Sequence, residues 1–226
     1  MKTLAVIPVR YESTRFPGKP LIDICGRPMI RWVYDAARSA SLVDEVLFAT
    51  DDERVRAAAA AFGAPCVMTG DAPRNGTERI AEAVRGREAD VVVNLQSDEP
   101  MLTGAVVDAA VRALKDDPSS SLSTVAVPFP LQERLDNANT VKVVMNGAGR
   151  ALYFSRSAIP YQRNSGAAPL LHVGIYVFRR AFLERYAQLA PSPLERSEGL
   201  EQLRALESGE AIRVVVVDDE LFGINA

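Results

Sequence analysis

Runs of apolar residues alternate with helical periodicity along the first half of the chain. Residues 4–8 form an unbroken apolar stretch that predicts a buried strand, and Ile30, Val33, Tyr34 and Ala37 fall at helical spacing within 29–39. The same alternation continues with a strand over 45–50, an alanine-rich helix over 52–62, a short strand over 66–68 and a helix over 77–84. A continuous apolar strand over 90–95 runs into the polar segment 96–99, and a helix over 104–114 follows. In the second half, 122–128, 141–145 and 151–154 read as strands joined by loops, and 172–178 as one more strand. Helices over 180–189 and 194–206 and a β-branched strand over 212–217 complete the chain. Residues 161–170, with Asn, Ser, Gly and Pro, read as an exposed loop. The pattern predicts an α/β fold: a mostly parallel, Rossmann-like sheet covered by helices on both faces, with additional mixed strands in the second half. There is no internal repeat and no interdomain linker, so residues 1–226 are expected to form one domain.

Composition narrows the class. A chain of 226 residues with 48% hydrophobic content can bury a substantial core. Its 26 basic residues are matched by 29 acidic ones, which leaves no global field of the kind that holds nucleic acid or an anionic membrane, so any bound anion must be gripped locally. The apolar run near Met1 is far shorter than the roughly 20 residues of a membrane span, and a cytoplasmic location is expected. Cys25 and Cys66 are too few for a disulfide framework and are expected to be small core residues in a reducing compartment.

Candidate chemistry begins where the first strand ends. Arg10, Arg15 and Lys19 lie within ten residues, interleaved with Ser13, Thr14 and Gly18, at the sheet edge where open α/β folds bind ligands. Cations and approachable backbone N–H groups suit a triphosphate, although the spacing is neither that of a P-loop nor of a dinucleotide fingerprint, and a solvated basic loop is the plain alternative. A second candidate, Asp98, follows the strand over 90–95. A carboxylate there could share magnesium with phosphate or simply cap a helix.

The stretch from Ile7 to Leu21, IPVRYESTRFPGKPL, resembles the opening signature of the 3-deoxy-D-manno-octulosonate (Kdo) cytidylyltransferases, which usually carry Ala where Val9 stands. The resemblance continues in family order through Gly76-Thr77-Glu78-Arg79, Asn94-Leu95-Gln96, Asp98-Glu99-Pro100, Val141-Lys142-Val143, the block from Ala151 to Arg156, His172-Val173-Gly174-Ile175-Tyr176 and the block from Leu200 to Arg204. It implies transfer of CMP from CTP to the anomeric 2-hydroxyl of Kdo, with release of pyrophosphate, for lipopolysaccharide biosynthesis. Catalytic roles fall on Arg10, Arg15, Lys19 and Asp98. Nucleotide binding falls on Arg10, Ser13, Arg15, Lys19, Asn75, Gly76 and Thr77, and sugar binding on Gln96, Arg163, His172, Tyr176, Glu201 and Gln202. The cofactor implied is Mg2+, held by Asp98 and, where relatives have an aspartate, by Asn225. A homodimer is also implied, with 150–180 contributing to dimerisation and to the sugar site. Lys142 and Arg156 could neutralise substrate or form structural ion pairs.

Two departures from the family pattern shape the alternatives. Ser97 replaces a glycine, which would strain the backbone if that position needed a positive φ. Asn225 and the end of the chain at Ala226 stand where relatives carry an aspartate and a further helix. A catalytically impaired CTP-binding relative is therefore one alternative, and a cytidylyltransferase for another acidic sugar is another.

Overall fold

In the computed structural model, the described residues are 1–12, 17–130, 132–164 and 166–219. Strand β1 (Thr3–Val9) is buried along its whole length, as an apolar run packed on both faces must be. After it come a 3-10 turn (Lys19–Leu21) and a two-residue hairpin, β2 (Asp23–Ile24) with β3 (Arg27–Pro28), too short for the hydrophobic pattern to register. Helix α1 (Met29–Ser39), β4 (Glu45–Thr50), α2 (Glu53–Ala61) and β5 (Cys66–Met68) follow, then α3 (Gly76–Ala83), β6 (Val91–Leu95) and α4 (Gly104–Asp116). Asp52, Asn75 and Thr103 each cap the helix that follows by accepting a backbone N–H, which accounts for where α2, α3 and α4 begin. The second half supplies β7 (Leu122–Pro128), β8 (Lys142–Met145), β9 (Ala151–Ser155), β10 (Leu170–Arg179), α5 (Arg180–Tyr186), α6 (Pro193–Glu198), α7 (Gln202–Glu207) and β11 (Ile212–Val216).

The main sheet has the order β11-β7-β10-β6-β1-β4-β5, with β8 and β9 branching from β10. Strands β5, β4, β1 and β6 are parallel to one another; β10 runs antiparallel between β6 and β7, and β11 pairs parallel with β7. One face packs Ile30, Val33, Val55, Ala59, Val107 and Val111 from α1, α2 and α4 against the sheet, and the other packs Ile80, Phe182, Leu183, Tyr186 and Leu203 from α3, α5 and α7. The expected mostly parallel sheet with helices on both faces and mixed strands in the second half is what forms.

Three expectations need correction. The single helix over 194–206 is two, because Gly199 takes a left-handed conformation (φ 63°) that ends α6 and redirects the chain into α7. The helix over 180–189 stops at Tyr186. The thiols are not core residues: Cys25 is exposed, in the hairpin turn at φ 52°, and Cys66 is half-buried. Cys25 is also the one non-glycine residue with positive φ among those described, so Ser97 carries no strain of that kind. No helix among the described residues is long and apolar enough to cross a membrane.

Candidate active-site cleft

Because β1, β4 and β6 are parallel, the segments after them, starting at Arg10, Asp51 and Gln96, emerge at one edge of the sheet. Since β10 runs the other way, its beginning arrives there too. Two adjoining groups of side chains result, one on each side of the β6 turn.

On the β4 side, Arg10, Glu12, Asp51, Asp52, Asp71, Pro73 and Arg74 surround a depression of about 560 Å3. Arg10 is exposed and its guanidinium donates to the Pro73 carbonyl. The Arg54 guanidinium carbon sits over the Tyr11 ring, 3.4 Å from its centroid, and holds the start of the loop after β1. Lys19 reaches across to Asp98, Nζ to Oδ2 2.9 Å, which joins the basic loop to the acidic turn after β6. Arg79 is buried and paired with Asp51, tying α3 to the end of β4. Ser13, Arg15 and Asn225 lie outside the described residues.

On the β10 side, a cleft of about 510 Å3 is lined by Asn75, Gly76, Gln96, Glu99, Arg156, His172, Gly174, Tyr176, Glu201 and Gln202, among others. Five of the six expected sugar-binding residues therefore converge from three separate stretches of chain: Gln96 after β6, His172 and Tyr176 on β10, and Glu201 and Gln202 at the start of α7. The sixth, Arg163, is exposed in the loop before β10 and is not part of the cleft wall. Asn75 and Gly76 bring the start of α3 to the same cleft, whereas Thr77 turns into the interior, 1% exposed.

Glu99 and Gly174 had no site role assigned from sequence. The Glu99 carboxylate lies against Gly174, its Oε1 3.5 Å from where a β-carbon there would stand, while burial, reinforced by the neighbouring charge of Asp98, pushes the Glu99 carboxyl up to about 7. A β-carbon on Gly174 would stand 3.1 Å from Gln96 Cγ, so glycine is what lets Gln96 lie against β10. Strand β10 is irregular against β7 between Val173 and Tyr176, which sets this backbone apart from a regular ladder. Only the pairing of Glu99 with a strand 75 residues further on, invisible in the sequence, gives it a site role.

His172 Nε2 lies 2.9 Å from the Thr124 hydroxyl, and that hydroxyl donates to the Ile175 carbonyl at 2.7 Å. With its proton spent, the hydroxyl can only accept from His172, so Nε2 carries the ring hydrogen and Nδ1 is left as an acceptor. Burial of the imidazole pulls its pKa down to about 3 and keeps it neutral. Tyr176 donates to Gln202 Oε1 at 2.9 Å. Glu201 Oε2 and Gln202 Nε2 are buried without any hydrogen-bond partner, one an acceptor and the other a donor. Such orphaned groups are costly in a folded chain and suit a ligand with hydroxyls to pair with both.

Lys142 is fully buried and its ammonium donates to the carbonyls of Asn137 (3.0 Å) and Thr140 (2.7 Å) and to that of Arg156. It ties together two parts of the cleft wall rather than meeting substrate. Arg156 lines the cleft and donates to the Glu198 and Ala138 carbonyls at 2.7 and 2.8 Å.

The family model described as cytidylyltransferase matches residues 4–212. The 3-deoxy-manno-octulosonate cytidylyltransferases of Synechococcus elongatus and Pelobacter propionicus are each 46% identical to the chain, which is covered in full along with 93% of theirs. The chain belongs to this family. A solved structure of CMP:2-keto-3-deoxy-manno-octonic acid synthetase complexed with CTP superposes with a TM-score of 0.94 at 44% identity, covering 100% of this chain and 94% of that one. The fold extends further: 4-diphosphocytidyl-2C-methyl-D-erythritol synthase, 14% identical, shares it at a TM-score of 0.65. Against this cytidylyltransferase background, the depression beside Arg10 and the cleft beside Tyr176 stand on either side of the turn that carries Asp98.

As to a metal, no group of three or more His, Cys, Asp and Glu side chains converges among the described residues. Asp98 is a single, partly exposed carboxylate at the sheet edge. One hard oxygen ligand beside an open phosphate site suits magnesium, which takes most of its remaining ligands from phosphate and water.

Proposed function

We propose that this chain transfers CMP from CTP to the anomeric 2-hydroxyl of 3-deoxy-D-manno-octulosonate, as a cytoplasmic enzyme supplying the activated sugar for lipopolysaccharide assembly. The observation that carries the reading is the pair of orphaned groups, Glu201 Oε2 and Gln202 Nε2, in a cleft shared with Gln96 and the start of α3. The family and the CTP-bound relative support the nucleotide half of the reading.

In the reaction, the anomeric oxygen bonds to the α-phosphorus, the bond from that phosphorus to the β-phosphate bridging oxygen breaks, and pyrophosphate leaves. The attacking hydroxyl gives up its proton to solvent water. Arg10 and Lys19 supply positive charge beside the triphosphate, with Arg15 and Ser13 assigned to the same loop by resemblance. Gln96, Glu201 and Gln202 orient the sugar acid, and neutral His172 offers Nδ1 to a sugar hydroxyl. Asp98 would hold Mg2+, whose chemistry when bound is to neutralise phosphate charge and acidify the attacking hydroxyl.

The test is pyrophosphate release with CTP, the octulosonate and Mg2+, alongside a parallel assay with a nine-carbon sialic acid. Turnover confined to the octulosonate is expected. Turnover with sialic acid alone would replace the sugar assignment, and CTP binding without turnover on either would mean an impaired relative.

We also propose a homodimer through the region of β9. That strand pairs only with β8 among the named strands, and it carries Leu152 at 60% exposure, an apolar residue on an open edge. Sedimentation equilibrium is expected to give about twice the 24.5 kDa chain mass, and a monomer at micromolar concentration would end the proposal.

A further inference from the structure

Thr124 sits within β7, fully buried, and its hydroxyl reaches across to β10. The oxygen lies 2.7 Å from the Ile175 carbonyl and 3.4 Å from that of Val173, both in the stretch where β10 is irregular against β7. A carbonyl can only accept, so the one hydroxyl proton of Thr124 is committed there and the oxygen is left to accept. The donor it meets is the His172 ring, with Nε2 at 2.9 Å. Phe154 stands edge-on to the same ring, 5.0 Å between centroids, and keeps its plane, but an aromatic edge does not tell one ring nitrogen from the other. Among the described residues no other group hydrogen-bonds to the imidazole, so the Thr124 hydroxyl decides which nitrogen carries the hydrogen.

We propose that Thr124 is a positioning residue for the sugar: by holding the hydrogen on His172 Nε2 it makes Nδ1 a fixed acceptor on a residue that lines the cleft, so that this wall selects a ligand hydroxyl and turns a carboxylate away. This rests on the activity proposed above, which puts the sugar acid in that cleft. A ring with its hydrogen on Nδ1 would do the reverse, offering a donor that favours the acid end of the sugar. The two tautomers thus specify opposite orientations of a molecule with a carboxylate at one end and hydroxyls along the rest. With valine in place of Thr124, a hydrogen on Nε2 has no acceptor in the interior, and the neutral ring gains by carrying it on Nδ1, where it can meet water in the cleft.

His172 is the one histidine of the chain, so the ring nitrogens of untagged, isotope-labelled protein are read by long-range proton–nitrogen NMR without assignment. At neutral pH and without ligand, the wild type is expected to carry the hydrogen on Nε2. Thr124→Ser, which keeps the hydroxyl, should match it, and Thr124→Val should show the hydrogen wholly or partly on Nδ1. In steady-state assays valine is expected to raise KM for the octulosonate roughly tenfold with KM for CTP within about twofold, and serine should recover most of the loss. A hydrogen on Nδ1 in the wild type or the serine variant would overturn the proposal. So would a valine variant that keeps the wild-type tautomer, one that changes it with the sugar KM unmoved, or a serine defect as large as that of valine. Should valine not fold, the wild-type and serine spectra and the serine KM decide on the same terms. If the wild-type chain makes no CMP-sugar, the functional reading falls, and Thr124 is then judged on the spectra and on whether valine weakens calorimetric binding of the octulosonate while sparing CTP.

Discussion

Replacing Asp98 by asparagine is expected to lower kcat for pyrophosphate release roughly 100- to 1000-fold, the size of effect seen when one charge-stabilising group is removed from a reacting centre. The amide keeps the shape and removes the charge that Lys19 faces across 2.9 Å. CTP should still bind, because the cations of the β1 loop remain, so the loss should appear in kcat more than in KM for CTP. Raising Mg2+ should recover part of the rate if the carboxylate is a metal ligand, since a weaker site fills at higher concentration. A change of less than tenfold at saturating Mg2+ would remove Asp98 from the reacting region.

The second large effect concerns stability. Arg204 is 2% exposed and donates to both oxygens of Glu195, at 2.7 and 2.5 Å, and to Glu78 at 3.0 Å, with its guanidinium over the Tyr186 ring. Burial opposes the ionised form of Glu78, but hydrogen bonds from Arg74 and Arg204 hold its pKa below the ordinary value. Arg204→Met would leave two carboxylates in the interior facing each other without their shared cation. It is expected to cost about 3–5 kcal/mol in urea unfolding at pH 7.5. The sign of its pH dependence follows: the hydrogen bond from Arg204 is one of those that hold the Glu78 carboxyl below its ordinary value, so the stability it contributes is present above the unfolded carboxylate pKa and lost as pH falls. The penalty of the substitution is therefore largest at neutral pH and relieved as pH falls through the carboxylate range. A loss under about 1 kcal/mol, or a deficit that grows towards pH 5, would mean that the cluster contributes little.

Much of the architecture was legible because the first half of the sheet is parallel and buried on both faces. Segments such as Glu45–Thr50 and Val91–Leu95 then appear as apolar runs with clear stops. The break at Gly199 was not legible, since a single glycine inside an apolar helical pattern is as compatible with a helix as with its end. In the site, Gln96, His172, Tyr176, Glu201 and Gln202 could be gathered by resemblance, but nothing in the sequence says which way each points. Thr77 makes the difficulty plain. It stands next to Gly76, which lines the cleft, and one step of about 100° around the helix turns its side chain inward, where the hydroxyl accepts from Asn94. Glu99 escaped for a related reason, since the strand it lies against is 75 residues further on in the chain.

The irregularity in β10 draws the cleft wall together. Between Val173 and Tyr176 the strand advances three residues while β7 advances one, from Val125 to Thr124. The His172 ring consequently lies 5.5 Å from the Tyr176 ring, although four residues of regular strand would span roughly 13 Å. The two rings form one continuous surface, so a substitution at either position changes the packing of the other, and the cleft reads a sugar acid with both side chains together.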